Sequence, residues 1–246
     1  MTAILAIWQR ELLAYRSLFS SGITATAFLI VFGWTFVMML IRCEGSVIQV
    51  QSIWGLAAAP WLPVFASILA MRLFAEERAT HMIDHLLSAP IRERDMVIGK
   101  FLALMTVLAT LLALSLIIPL GILPVLSPAV QRGMRLIAFI PTSAILILQC
   151  AVYSAVGLFI SAIFRSPAVA AIVALIISGG IPTALYLGII HGSPELRASN
   201  IWIPLLTHVY DFSTGFISLS AILLYTVLTS LFLFLCSKAL FFLRLK

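Results

Sequence analysis

Six apolar runs, each of spanning length, take up most of this 246-residue chain, at 22–41, 53–71, 96–126, 136–164, 168–190 and 219–240. A membrane-spanning helix needs about 20 mostly apolar residues, and inside hydrocarbon its backbone polar groups must be satisfied within the segment. The expected fold is therefore all-α, a single polytopic domain over residues 1–246 with six transmembrane helices. The third and fourth runs are long enough to tilt or project beyond the lipid. Pro60, Pro63, Pro119 and Pro124 are expected to bend or interrupt their helices, because proline lacks a backbone donor and clashes with the preceding turn. Gly179 and Gly180, followed by Pro182, should loosen the fifth run. Composition agrees: 63% hydrophobic and 10% charged excludes an ordinary soluble globule, which carries about 25% charge.

Between the second and third runs lies a polar island, residues 72–100, holding ten of the 24 charged residues. Each charge forced into hydrocarbon costs about 2.5–3.5 kcal/mol, so this segment belongs outside the bilayer. With the N-terminus inside, the inner segments carry eleven Lys and Arg: Arg10, Arg16, Arg72, Arg78, Arg92, Arg94, Lys100, Arg165, Lys238, Arg244 and Lys246. The outer loops carry four, Arg42, Arg132, Arg135 and Arg197. Basic residues gather on the cytoplasmic side, so both termini and the island are expected there, in a cell membrane. The net charge of +6 serves that topology and anionic headgroups. Nothing calls for nucleic acid.

Two shorter segments have their own character. Ahead of the first run, Ile4, Leu5, Trp8, Leu12, Tyr15 and Phe19 fall on one side at 100° per residue. Residues 2–19 thus read as an amphipathic elbow helix in the inner interface, or as an extension of the first span. Late in the chain, residues 204–215 are too short and interrupted to cross. They predict a re-entrant or interfacial helix, with Trp202 and Tyr210 at headgroup level.

Within the island, Ile83, Leu86 and Leu87 recur at i, i+3 and i+4, while His81, Asp84, His85 and Ser88 face away. The pattern predicts a short amphipathic helix ended by Pro90. Such a helix can lie on lipid or enter a groove on a soluble partner. The mixed charges around it (Glu76, Glu77 and Arg78 before, Arg92, Glu93, Arg94 and Asp95 after) favour the partner, because a lipid anchor would be mostly basic.

The residues F-A-E-E-R, D-H-L-L-S-A-P-I and V-I-G-K-F-L-A-L, in this order, resemble the first cytoplasmic loop and third-span entry of ABC-2-type transporter permeases, closest to the gliding-motility-type branch. The likeness resumes at T-H-V-Y-D-F-S-T-G-F-I-S-L before the last run. The sequence departs from the pattern at His81 and Met82, where the family tends to Gly-Thr, and at Asp84, where it tends to Glu. The resemblance implies a permease subunit that pairs with a second copy or a related chain and docks on a separately encoded pair of ABC ATPase subunits. It also implies a coupling helix over residues 80–87. The ATPase-coupling residues would then be Glu76, Glu77, Arg78, Ile83, Asp84, His85, Leu86, Leu87 and Pro90. The chain itself would not be an enzyme and would need no cofactor.

Other chemistries fit less well. His81 and His85 have helical metal-ligand spacing, but no third ligand and no H-E-x-x-H glutamate accompany them. Gly99-Lys100 is no phosphate loop, since Arg94 stands where the leading glycine belongs and Phe101 replaces Ser/Thr. Lys100 is instead expected to snorkel to the inner headgroups. Cys43, Cys150 and Cys236 suggest neither disulfides nor zinc. The serines in the runs face no histidine or carboxylate that would activate a nucleophile. No Asp, Glu or His lies deep enough for a proton-coupled carrier. Small residues mark helix contacts at Gly157/Ser161 and in the row Ala170, Ala174, Ser178. That row serves packing within one subunit or a dimer seam. The expected function is a permease that couples ATP hydrolysis by a partner to export or to an extracytoplasmic process. The alternative is an anchoring or assembly subunit that recruits a cytoplasmic partner without transport.

Overall fold

The structure, a computed structural model, describes residues 2–17, 19–42, 50–80, 92–122, 136–180 and 204–244. Among these, all regular structure is helical. In chain order the helices are α1 Thr2–Ser17, α2 Phe19–Arg42, α3 Val50–Ala58, α4 Leu62–Ala79, α5 Glu93–Ser115, α6 Ile117–Ile122, α7 Phe139–Ile163, α8 Pro167–Leu175, α9 Pro204–Thr214 and α10 Leu219–Arg244. A 3-10 turn, Leu136–Ala138, leads into α7, and a π-helical stretch, Ile176–Gly180, extends α8.

Four helical stretches are long and apolar enough to cross a membrane: 22–42, 93–121, 139–163 and 219–244. The pair α3 and α4 makes five if counted as one span, bent by 40° at the break between them. The proline expectations explain this shape. Pro60 sits exposed in the turn, and Pro63 falls in the first turn of α4, where a missing N–H costs nothing. Likewise Pro119 leaves no donor for the Ser115 carbonyl, and α5 gives way to α6 at Leu116. Pro124 lies outside the described residues. The fifth predicted run appears only as the shorter apolar helix Pro167–Gly180; its remainder, 181–190, also lies outside them.

The central element is α7, which packs against α3, α4, α5, α8, α9 and α10. Fifteen of its residues are buried, against a narrow stripe on the peripheral α2. There Phe28, Phe32 and Phe36, one turn apart, stack with centroids 6.0 and 5.9 Å apart, and Phe28 meets Phe65 edge-on at 5.1 Å. The other side of α2 exposes Ile23, Ile30, Trp34 and Ile41. Such a face suits lipid, which is as apolar as leucine.

Small residues set a close helix crossing. A Cβ on Gly157 would lie 2.6 Å from the Ala70 Cβ, so α4 and α7 approach with room for hydrogen alone. One turn on, Ser161 Oγ accepts from the Ala75 amide at 2.9 Å and donates to the Met71 carbonyl at 3.2 Å. The row Ala170, Ala174 and Ser178 points the same way. Ala170 and Ala174 are buried with Ala75, Val156 and Ile160 of α4 and α7, and Ser178 Oγ lies 3.5 Å from Ser67 Oγ of α4. Within this chain the row is occupied by intrasubunit packing.

Candidate functional site

Most of the described charges gather at one end of the bundle, where α4 stops and α5 starts on either side of residues 81–91. Only Glu76, Glu77 and Arg78 of the nine residues expected to couple to an ATPase are among the described ones. Ile83, Asp84, His85, Leu86, Leu87 and Pro90 lie outside them. The three described residues do not form one cluster; successive helical positions send them in different directions. Glu76 faces outward and pairs with Arg72 at 3.1 Å, one turn back. Arg78 reaches across to α7, donating to the carbonyls of Ala162 and of Ile163, the latter at 2.7 Å. A cation on the last carbonyls of a helix satisfies orphan acceptors and opposes the dipole. Glu77 turns inward.

Glu77 meets Lys100, and here one expectation is overturned. Lys100 does not snorkel to headgroups; it is 1% exposed. Its neighbours Val97 and Leu104, one turn to either side, are buried too, so the helix carries its side chain into the core rather than to the lipid. Its ammonium donates to Glu77 Oε1 at 2.7 Å, to Glu11 Oε1 of α1 at 3.0 Å, and to the Leu73 carbonyl of α4 at 2.7 Å. The Phe74 ring lies 4.9 Å away. All three ammonium donors are thus used, which is what a buried charge requires.

The helix α1 holds its place through the same face. Ile4, Ile7, Glu11 and Tyr15, spaced by three or four, point towards the bundle, whereas Leu5 is 53% exposed. The packed face is therefore rotated from the one the apolar residues alone suggested, with a carboxylate at its centre. Tyr15 Oη donates to the Leu69 carbonyl at 2.9 Å. Burial, with Glu11 adding, pushes its phenol well above the ordinary range, which keeps the donor proton in place. A Cβ on Gly99 would come within 2.9 Å of Ile7, so α1 lies directly on the α5 backbone. At the same end Arg244 of α10 holds Glu93 of α5 at 2.6 Å. Each sits at the helix terminus whose dipole favours it.

The opposite end carries a neutral polar cluster. The expected short helix at 204–215 is present as α9, ending at Gly215 with φ 94°. Trp202 lies outside the described residues, and Tyr210 is exposed. His208 Nδ1 lies 3.2 Å from Tyr225 Oη, which also receives Gln149 Nε2 at 3.4 Å, and Ser213 Oγ meets Ser52 Oγ at 2.6 Å. These bonds fasten α9 to α3 and α10, and α10 to α7. Burial lowers the His208 pKa from its ordinary 6.5, with Asp211 opposing. The folded protein then binds fewer protons here than the unfolded chain, so this contribution to stability is complete above pH 6.5 and shrinks as pH falls below it. A falling Tm below pH 6.5 is expected, and His208→Gln should flatten that slope; an unchanged slope would count against this role.

Among the described residues no group of three or more His, Cys, Asp or Glu could hold a metal ion. Cys150 and Cys236 are buried free thiols.

Several helices long and apolar enough to cross a bilayer define the class as a multi-pass membrane protein. The sequence profile of the ABC-2 family transporter proteins matches residues 3–191, and the chain belongs to that family. A comparison with curated proteins finds no match. Family and helices together make it a transmembrane component of ABC transporters.

Proposed function

We propose that this chain is the permease subunit of an ABC-2 exporter or of a machine that works at the outer face of the membrane. It acts as a dimer, driven by two copies of a separate ATP-binding subunit. One observation carries the reading: α4 and α5, on either side of residues 81–91, are tied into the bundle by Lys100, Arg78 and the Glu93–Arg244 pair. A push delivered between them reaches α1, α7 and α10 rather than dissipating in a loose loop.

In this reading the apolar positions Ile83, Leu86 and Leu87 supply contact area to the ATPase. Asp84, His85, Glu76 and the neighbouring charges fix orientation, and Pro90 ends the docking helix. The charged end faces the cytoplasm in this reading, in keeping with the Lys and Arg distribution, with both termini there. The bent α3–α4 pair is the second of six spans, and α8 with the residues after it is the fifth. The elbow is α1, resting on α5 and reaching into the lipid interface with its exposed face. Since Ala170, Ala174 and Ser178 are used inside the subunit, a dimer contact on α8 uses its other side, where Ile172 and Ile176 are exposed.

The deciding experiment replaces Leu86 and Leu87 by Asp in the complete permease–ATPase complex in proteoliposomes. Binding of the ATPase should weaken by at least about tenfold, as for loss of central apolar anchors, and stimulated ATP turnover should fall with it. Unchanged binding and turnover, with the spans inserted, would remove the docking assignment.

A further inference from the structure

We propose that Lys100 and Glu11 are positioning residues that make α1 part of the force path, by locking α1 and the facing ends of α4 and α5 into one rigid body. The proposal rests on the coupling reading above for its functional half only. Its structural half stands on the geometry of a single ammonium.

Three helices converge on Lys100 Nζ, and moving any one of them breaks a contact to its ammonium. α4 contributes Glu77 Oε1 and the Leu73 carbonyl, both at 2.7 Å, from successive turns at its end. α1 contributes Glu11 Oε1 at 3.0 Å, and α5 contributes the lysine itself. The side chains are 2% exposed for Lys100 and 12% for each glutamate, so water cannot take over when a partner moves. Salt screening is correspondingly weak. Two contacts flank the ammonium along α1 and stop it from pivoting: Ile7 lies on the Gly99 backbone, and Tyr15 is bonded to Leu69.

A helix merely lying against the bundle would need only its apolar face. Here the sequence places a carboxylate in the centre of that face and an ammonium opposite it. An ion pair fixes register along the contact in a way that apolar packing does not. Displacing the ends of α4 and α5 therefore carries α1 along. The two carboxylates divide the work, Glu77 joining α4 to α5 and Glu11 adding α1. Loss of Glu11 should consequently free α1 while leaving α4 and α5 joined.

The test uses the full chain in lipid nanodiscs, with Cys43, Cys150 and Cys236 replaced by Ala and spin labels at pairs of exposed positions: Gln9 with Thr80, and Thr80 with Arg92. The parent should give narrow distance distributions for both pairs. Glu11→Gln should broaden the Gln9–Thr80 distribution and leave Thr80–Arg92 narrow; Lys100→Met should broaden both. Narrow distributions in both variants would overturn the rigid body, whatever the ATPase does. In the permease–ATPase complex, Glu11→Gln should lower stimulated turnover on the order of tenfold, within the usual range of coupling effects, with ATPase binding retained. A reversible disulfide between Ile7→Cys and Gly99→Cys, added to Glu11→Gln, should restore both the narrow distance and the turnover on mild oxidation. Restored distance without restored turnover would overturn the force path. Failure of Leu86→Asp/Leu87→Asp to affect coupling would instead remove the docking reading and leave the rigid body standing.

Discussion

Lys100→Met alone is expected to cost about 3–5 kcal/mol of stability, whereas Lys100→Met/Glu11→Leu/Glu77→Leu should be close to the parent. The single change leaves two carboxylates in a site where each is 12% exposed, without the ammonium that satisfied both and with little water. The triple change removes every charge along with the need to desolvate it, and replaces the ion contacts by apolar side chains of similar size. Thermal unfolding in detergent distinguishes the outcomes. Should the triple variant be as unstable as the single one, the packing around the triad rather than its charge balance would set its cost. Should Lys100→Met be neutral, the ammonium would not be the buried hub described above.

Gly157→Ala is the second change with a large expected effect. The added methyl would sit 2.6 Å from the Ala70 Cβ and 3.7 Å from the Ala66 carbonyl. Neither neighbour is a flexible side chain that can swing away, so α4 and α7 must separate. Overpacking of this kind costs typically about 1–3 kcal/mol. Separation should also weaken the bonds of Ser161 to the α4 backbone one turn on. The compensating pair Gly157→Ala/Ala70→Gly moves the methyl to the other helix and should recover most of the loss, because it and the parent each carry one helix-interior glycine and that cost of about 1 kcal/mol cancels. A double-mutant cycle on unfolding free energies measures this directly; additive costs would show that the two positions do not share the space.

How much of this was legible in the sequence follows from which forces act locally. The helical class, the cores of four spans, the break at Pro60 and the short helix before the last span were all readable, because each depends on nearby residues. So was the use of Gly157 and Ser161 in a helix contact. What could not be read was where α1 packs. Its apolar residues alone point to a different face, whereas Glu11 lies on the packed one with Ile4, Ile7 and Tyr15. An isolated lysine near a span end snorkels to the headgroups, which is the default for Lys100. That default fails when two carboxylates distant in sequence arrive from other helices, and no local pattern announces them. The signal available was spacing: Lys100 shares one helical face with Val97 and Leu104, three before and four after it. The acidic-basic cluster 76–78 divided for the opposite reason: adjacent residues on a helix point about 100° apart, so neighbours in sequence serve three different partners.

The break between α3 and α4 has a mechanical meaning beyond its shape. The start of α4 lies against the π-helical stretch that extends α8, with Ser67 and Ser178 3.5 Å apart and Pro63 beside Gly179. Two adjacent members of the bundle thus depart from the α-helical hydrogen-bond pattern at one level. A bundle with such a compliant layer yields there before its longer, continuous helices slide past one another. Strain introduced at the charged end would then emerge as a tilt of one half against the other, with that layer as its fulcrum.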